Sequence, residues 1–254
     1  MNKNYNSCMI LNNRLIDTYI YSITKNIVKF NSLYCIIMIG GPASGKSTLR
    51  YQYIEKNNLN KETFVIIEGD ELINHLFNNN YECNKNIEYD SKSNTYTTIL
   101  NYLTNNKYNF ILDSTHKYAK PTIELVEYLE SKGYTVVLSI IDIDIDTAIQ
   151  RAYKRQKEIG RPVDLNYIHE TYNILNSTIP TLLDTNIKNI IIYNNINGIK
   201  TIYYRNNNII LYDDLTMDKY NLYSQCSLVK FLIIILIILF IIFIIYKDNK
   251  NNNK

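Results

Sequence analysis

Gly40, Gly41, Pro42, Ala43, Ser44, Gly45, Lys46, Ser47 and Thr48 are the residues of this chain whose types and spacing could do chemistry, because they fit the pattern G-x-x-x-x-G-K-[ST]. Glycines 40 and 45 let the backbone wrap an anion without Cβ clashes. Successive N–H groups and the start of a following helix can then point at a phosphate. In that arrangement Lys46 reaches the β- and γ-phosphates of ATP, and Ser47 ligates Mg²⁺. Three of the chain's 7 glycines fall in this one loop, which favours a phosphate cradle over an ordinary turn.

Two carboxylates stand where such a loop would need them. The apolar run 63–67 delivers Glu68-Gly69-Asp70-Glu71, and the run 109–112 delivers Asp113-Ser114-Thr115. Ligands of open α/β sheets bind outside the carboxyl ends of the strands. Asp70 is therefore a candidate for contact with the substrate or its nucleophile, the alternative being an N-cap for a helix over 71–77. Asp113 has the layout of a Walker B carboxylate that holds Mg²⁺ through its water shell, the alternative again being a cap. Farther on, Arg151 and Arg155 lie one turn apart on a basic helix, and Gly160-Arg161-Pro162-Val163 ends it. In small P-loop kinases a basic lid in this region closes on the nucleotide, and arginines such as Arg155 and Arg161 neutralise the transferring phosphoryl group. A solvated basic helix is the plainer reading.

The elements that must position these residues are legible as alternating patterns. Residues 34–39 are short, apolar and rich in β-branched types, as a strand buried on both faces requires. A first helix is expected over 48–56, a second strand over 63–67, a weak helix over 94–105 and a third strand over 109–115. Pro121 opens an amphipathic helix with Ile123, Leu125, Val126 and Leu129 on one face, closed by Gly133. A strand over 134–141 follows, and Asp142, Asp144 and Asp146 read as caps for a helix over 147–158. Ile168, Tyr172, Leu175 and Ile179 mark the next helix, 189–193 a strand, and 199–204 with 209–212 an edge hairpin. The fold class is thus α/β: a three-layer P-loop NTPase of the small-kinase type with a mostly parallel sheet.

The chain divides into a helix in residues 1–33, a kinase domain over 34–215, a linker over 216–227, an apolar helix over 228–246 and a polar tail over 247–254. The first segment has apolar residues at Leu11, Leu15, Tyr19, Ile23 and Ile27, with Ile16 and Ile20 beside them, so it is read as an amphipathic helix packed on the domain; membrane-surface binding is the alternative. Between 228 and 246 only Lys230 is charged, and nineteen residues rise roughly 28 Å, close to the hydrocarbon thickness of a bilayer. The expectation is a single-pass C-terminal membrane anchor with the kinase domain facing the cytosol.

Composition narrows the function further. A net charge of +3 gives no electrostatic footprint for nucleic acid. Cys8, Cys35, Cys83 and Cys226 are isolated, and His75, His116 and His169 are unclustered, so neither type offers a metal site. A regulatory GTPase would carry D-x-x-G after the Asp113 strand, where His116 occupies the glycine position, and [NT]-K-x-D is missing as well.

In order, Gly40 to Thr48, Glu68-Gly69-Asp70-Glu71, Leu112-Asp113-Ser114-Thr115, Gly133-Tyr134, Arg151 to Arg155 and Gly160-Arg161-Pro162-Val163 resemble the zeta-toxin family of P-loop kinases. The resemblance covers about 34–183. It implies a kinase that, in bacterial members, phosphorylates a hydroxyl of a UDP-N-acetyl amino sugar. It also implies that Asp70 is the base, Lys46 and Ser47 hold the nucleotide and Mg²⁺, and Arg155 and Arg161 belong to the lid. The family often has Asp-Glu-x-Arg after the second strand, whereas this chain reads Asp70-Glu71-Leu72-Ile73. The function expected is therefore ATP-dependent transfer of a γ-phosphate to a small hydroxyl substrate at a membrane. The alternatives are a polynucleotide 5′-kinase and a non-catalytic or regulatory nucleotide-binding membrane protein.

Overall fold

A computed structural model of the chain describes residues 13–56, 61–69, 71, 72, 75, 95–160 and 162–213. Helix α1 spans Asn13–Thr24, followed by strand β1 (Tyr34–Ile39), helix α2 (Lys46–Lys56), strand β2 (Val65–Glu68), helix α3 (Thr95–Asn105), strand β3 (Phe110–Asp113) and helix α4 (Ala119–Ser131). Strand β4 (Thr135–Asp142), helix α5 (Ile145–Ile159), helix α6 (Leu165–Leu183) and strands β5 (Ile190–Asn194), β6 (Lys200–Asn206) and β7 (Ile209–Asp213) complete the described elements.

The strands form one sheet in the order β2-β3-β1-β4-β5-β6-β7. Pairing from β2 through β5 is parallel, and β6 and β7 add an antiparallel edge hairpin. Alternate residues of the central strands feed two separate cores. Cys35, Ile37 and Ile39 of β1, with Phe110 and Leu112 of β3, join Ile16, Tyr19 and Leu103 on one face. Ile36, Met38 and Ile111 join Leu49, Ala148 and Ala152 on the other. Burial on both faces explains why these strands read as continuous apolar runs, and the three layers expected from the sequence are present.

Boundaries moved where local geometry overrode pattern. Helix α2 begins at Lys46 instead of residue 48, so Lys46 and Ser47 occupy its first turn. Strand β2 begins at Val65 because Lys61–Thr63 form a 3-10 turn. Asp142 ends β4, and Asp144 is the cap of α5, its carboxylate accepting from the Thr147 N–H at 2.7 Å. Gly160, in the left-handed region at φ 70°, closes that helix. On α1 the buried stripe is Ile16, Tyr19 and Ile20, with Leu15 exposed, because the helix packs on β2 and α3 through the i, i+3, i+4 face centred on Tyr19. The apolar segment 228–246 lies outside the described residues. Among the described residues no helix is long and apolar enough to cross a membrane.

Candidate active site

The order of strands brings the carboxyl end of β1, and the loop that follows it, between β3 and β4. The turn bends through Ala43 at φ 58° and Gly45 at φ 100°, and helix α2 starts directly afterwards at Lys46. The Gly40 N–H donates to the Thr115 carbonyl at 3.3 Å, which ties this loop to the one beyond β3. Lys46 Nζ donates to the carbonyl oxygens of Gly40 at 2.8 Å and Gly41 at 3.2 Å. The Ser44 hydroxyl is buried without a hydrogen-bond partner. A turn of this shape ending at a helix N-terminus, with a lysine over its own carbonyls and a buried unpaired hydroxyl, fits a polyphosphate.

Side chains from three other elements brace the loop. The Tyr172 hydroxyl on α6 donates to the Pro42 carbonyl at 3.0 Å, and a Cβ at Gly41 would collide with the Tyr172 ring. The Asn195 amide, just past β5, donates to the Ser44 carbonyl at 2.9 Å, and a Cβ at Gly45 would strike that amide. Arg151 on α5 donates to the Ser44 carbonyl at 3.4 Å, to the Ile196 carbonyl at 3.2 Å and to the Asn195 carbonyl. Glycine is thus required at 41 by close approach and at 45 by close approach and a left-handed backbone.

Beside the loop lies a buried charge cluster. Arg50, one turn after Lys46 on α2, donates to Asp113 at 2.7 Å and pairs with Glu68 at 3.0 Å. Burial works against the Arg50 charge, but the carboxylates of Asp113 and Glu68 outweigh it, and the guanidinium pKa is raised. Just beyond Asp113, His116 sits in the left-handed region at φ 42°, with Nε2 buried and without a partner. Burial, aided by the charge of Lys46, pulls its pKa down to about 4, so the ring is neutral near pH 7. Next to it Lys117 pairs with Glu170 of α6 at 2.9 Å.

Of the residues singled out by sequence, the structure brings Gly40, Gly41, Pro42, Ala43, Ser44, Gly45, Lys46, Ser47, Thr48 and Asp113 to one end of the sheet. Ser47 and Thr48 are exposed there, and Asp113 is engaged by Arg50. Arg155 is half-buried on α5. Asp70 and Arg161 lie outside the described residues. Sequence reasoning missed Arg50, Tyr172, Asn195 and His116 as members of the site, and it placed Arg151 on the basic helix without assigning it the loop contact. The one available signal was a charged residue, Arg50, on the helix following the loop, beside the buried Leu49.

The sequence profile described as Zeta toxin matches residues 20–214, from within α1 to just past β7. The chain belongs to the Zeta toxin family. The family match therefore takes in the braces at Tyr172 and Asn195 as well as the phosphate loop. Among solved structures, a similar one is that of the PezAT chromosomal toxin-antitoxin system of Streptococcus pneumoniae, with TM-score 0.60 and 18% identity, covering 76% of this chain and 80% of that one. Another is AvrRxo1-ORF1:-ORF2 with ATP, with TM-score 0.60 and 8% identity, covering 79% of this chain and 69% of that one. At these identities the likeness is one of fold. A search of curated proteins finds no match.

Proposed function

We propose that this Zeta toxin family member is an ATP-dependent phosphotransferase that moves the γ-phosphate to a hydroxyl of a small molecule, a nucleotide sugar being one candidate acceptor. The observation that carries this reading is the loop from Gly40 to Lys46, bent and braced to receive a polyphosphate, with Lys46 in the first turn of α2. Lys46 and the loop N–H groups would hold the β- and γ-phosphates. Ser47, with Asp113 acting through bound water, would hold Mg²⁺, which when bound neutralises charge between the β- and γ-phosphates. Asp113 suits an indirect role because one of its oxygens already accepts from Arg50.

Asp70 follows the end of β2 by two residues and is the base in this proposal. Its carboxylate takes the proton of the acceptor hydroxyl as the oxygen–phosphorus bond forms and the bond to the ADP oxygen breaks. Arg155 and Arg161 would stabilise the charge on the group in transit. The segment 228–246 would anchor the enzyme in a membrane with the kinase domain on the cytosolic side. A toxin-antitoxin system such as that named for the pneumococcal relative suggests a protein partner as well.

The test is a screen of the full chain in detergent, with labelled ATP and Mg²⁺, against nucleotide sugars, nucleosides and 5′-hydroxyl oligonucleotides. Labelled nucleotide sugar, lost in Lys46→Ala and reduced about 10² to 10⁴-fold in Asp70→Asn at unchanged ATP affinity, is the expected result. Label on the oligonucleotide would replace this reading with a polynucleotide kinase. No transfer to any acceptor would leave a nucleotide-binding protein without catalysis. Carbonate extraction of the full chain and of a version ending at residue 227 tests the anchor; recovery of the full chain in the soluble fraction would remove it.

A further inference from the structure

Arg50 links three elements around the phosphate loop, α2, β2 and β3, and its geometry is that of a bridge. Its Nη1 donates to Asp113 Oδ2 at 2.7 Å and its Nη2 pairs with Glu68 Oε2 at 3.0 Å, with side-chain exposures of 6% for Arg50, 4% for Asp113 and 30% for Glu68. Glu68 and Asp113 are register partners at the ends of the parallel strands β2 and β3, so their side chains leave the sheet on the same side. Two neighbouring carboxylates repel. A single planar guanidinium with two outward N–H groups can satisfy both at once, which an ammonium on a flexible stem does less well.

Stability alone is a poor reason for such a cluster. Desolvating Arg50 and Asp113 fully and Glu68 in part costs free energy that an apolar trio of the same volume would not incur, and buried ion pairs are weak evidence for a stabilising role. Position supplies a better reason. Arg50 lies four residues after Lys46 in α2, Glu68 two residues before Asp70, and Asp113 closes β3 beside the loop that holds the Gly40 N–H. We propose that Arg50 is a positioning residue: by clamping Glu68 and Asp113 to the helix that begins with Lys46, it sets the ends of β2 and β3 against the phosphate loop. This inference rests on the phosphotransferase reading and deepens it.

The test uses the full chain with Arg50→Lys, Arg50→Gln, and Arg50→Gln combined with Glu68→Gln, the last relieving the carboxylate repulsion if the single variant folds poorly. Mg·ATP affinity is measured by calorimetry, and kcat and KM for ATP are measured as release of labelled phosphate to water in the presence of Mg²⁺. Misplacement by an ångström at such a site can cost about 10²-fold in rate. Arg50→Gln and the double variant are expected to lose kcat on that scale with Mg·ATP affinity within about threefold of wild type, and Arg50→Lys to recover part of the loss. Variants that keep wild-type kcat while melting earlier would make Arg50 structural only. Equal loss of affinity and rate would mean that the loop itself collapses, and would also overturn the proposal. Wild-type protein that does not bind Mg·ATP would overturn the phosphotransferase reading and this inference together.

Discussion

Tyr172 donates its hydroxyl hydrogen to the Pro42 carbonyl at 3.0 Å while its ring occupies the space that a side chain at position 41 would need. A helix 130 residues downstream thus holds the outer turn of the phosphate loop and explains why position 41 carries no side chain. The loop is shaped by its neighbours as much as by its own glycines.

Gly41→Ala should therefore weaken ATP binding by about tenfold or more, since the added methyl forces either the ring or the loop to move, and overpacking of this kind costs about 1–3 kcal/mol. Tyr172→Phe removes one hydrogen bond worth about 1 kcal/mol and should raise the ATP dissociation constant severalfold. Combining Gly41→Ala with Tyr172→Ala should restore part of the affinity. Calorimetric titration of wild type, Gly41→Ala, Tyr172→Ala and the double variant, with Tyr172→Phe alongside, checks this, and strictly additive losses would mean that the two residues do not act on each other.

His116 makes the fold acid-sensitive. Its folded pKa of about 4 lies below the ordinary value of 6.5, so the unfolded chain binds the extra proton first. Stability contributed by the neutral ring is present above about pH 6.5 and is lost as pH falls toward 4, by roughly 1–2 kcal/mol at pH 5. His116→Asn tolerates the left-handed backbone and has no proton to gain. Its melting temperature should fall less than that of wild type between pH 7 and pH 5. Parallel thermal melts at the two values measure the difference, and equal shifts would show that the acid loss arises elsewhere.

Arg205 caps the far end of the molecule. Arg205 is 7% exposed, and its guanidinium donates to the Thr185 carbonyl at 2.7 Å, to the Leu183 carbonyl at 2.6 Å and to the Tyr203 hydroxyl at 3.0 Å, so it serves the last carbonyl of α6 and one just beyond it. Arg205→Ala should cost about 2–4 kcal/mol by leaving these acceptors buried. Arg205 pairs in register with Ile190, at the amino end of β5 and away from the phosphate loop, so ATP affinity should hold. Urea denaturation should show a lower midpoint at unchanged slope. A parallel fall in ATP affinity would mean that the hairpin is coupled to the site.

Local pattern determined much of this protein. The G-x-x-x-x-G-K-[ST] spacing, the apolar runs ending at Asp113 and before Asp70, the Asp144 cap and the Gly160 stop are each written within a few residues, because turn chemistry, capping and two-sided burial act over that range. The family resemblance followed from the order of those short segments. Tertiary structure decided which segments meet. Nothing in the spacing of residues 50, 68 and 113 announces one guanidinium between two carboxylates, because that contact depends on β2 and β3 pairing in register and on α2 lying across their ends. Tyr172 likewise reads as a core position, and Asn195 falls unremarked between two strands, until β5 and α6 pack beside the loop. His116 reads as a stray histidine until the turn after Asp113 buries its ring within reach of the Lys46 charge. Periodicity records which face of an element is buried; only packing decides what lies on the other side.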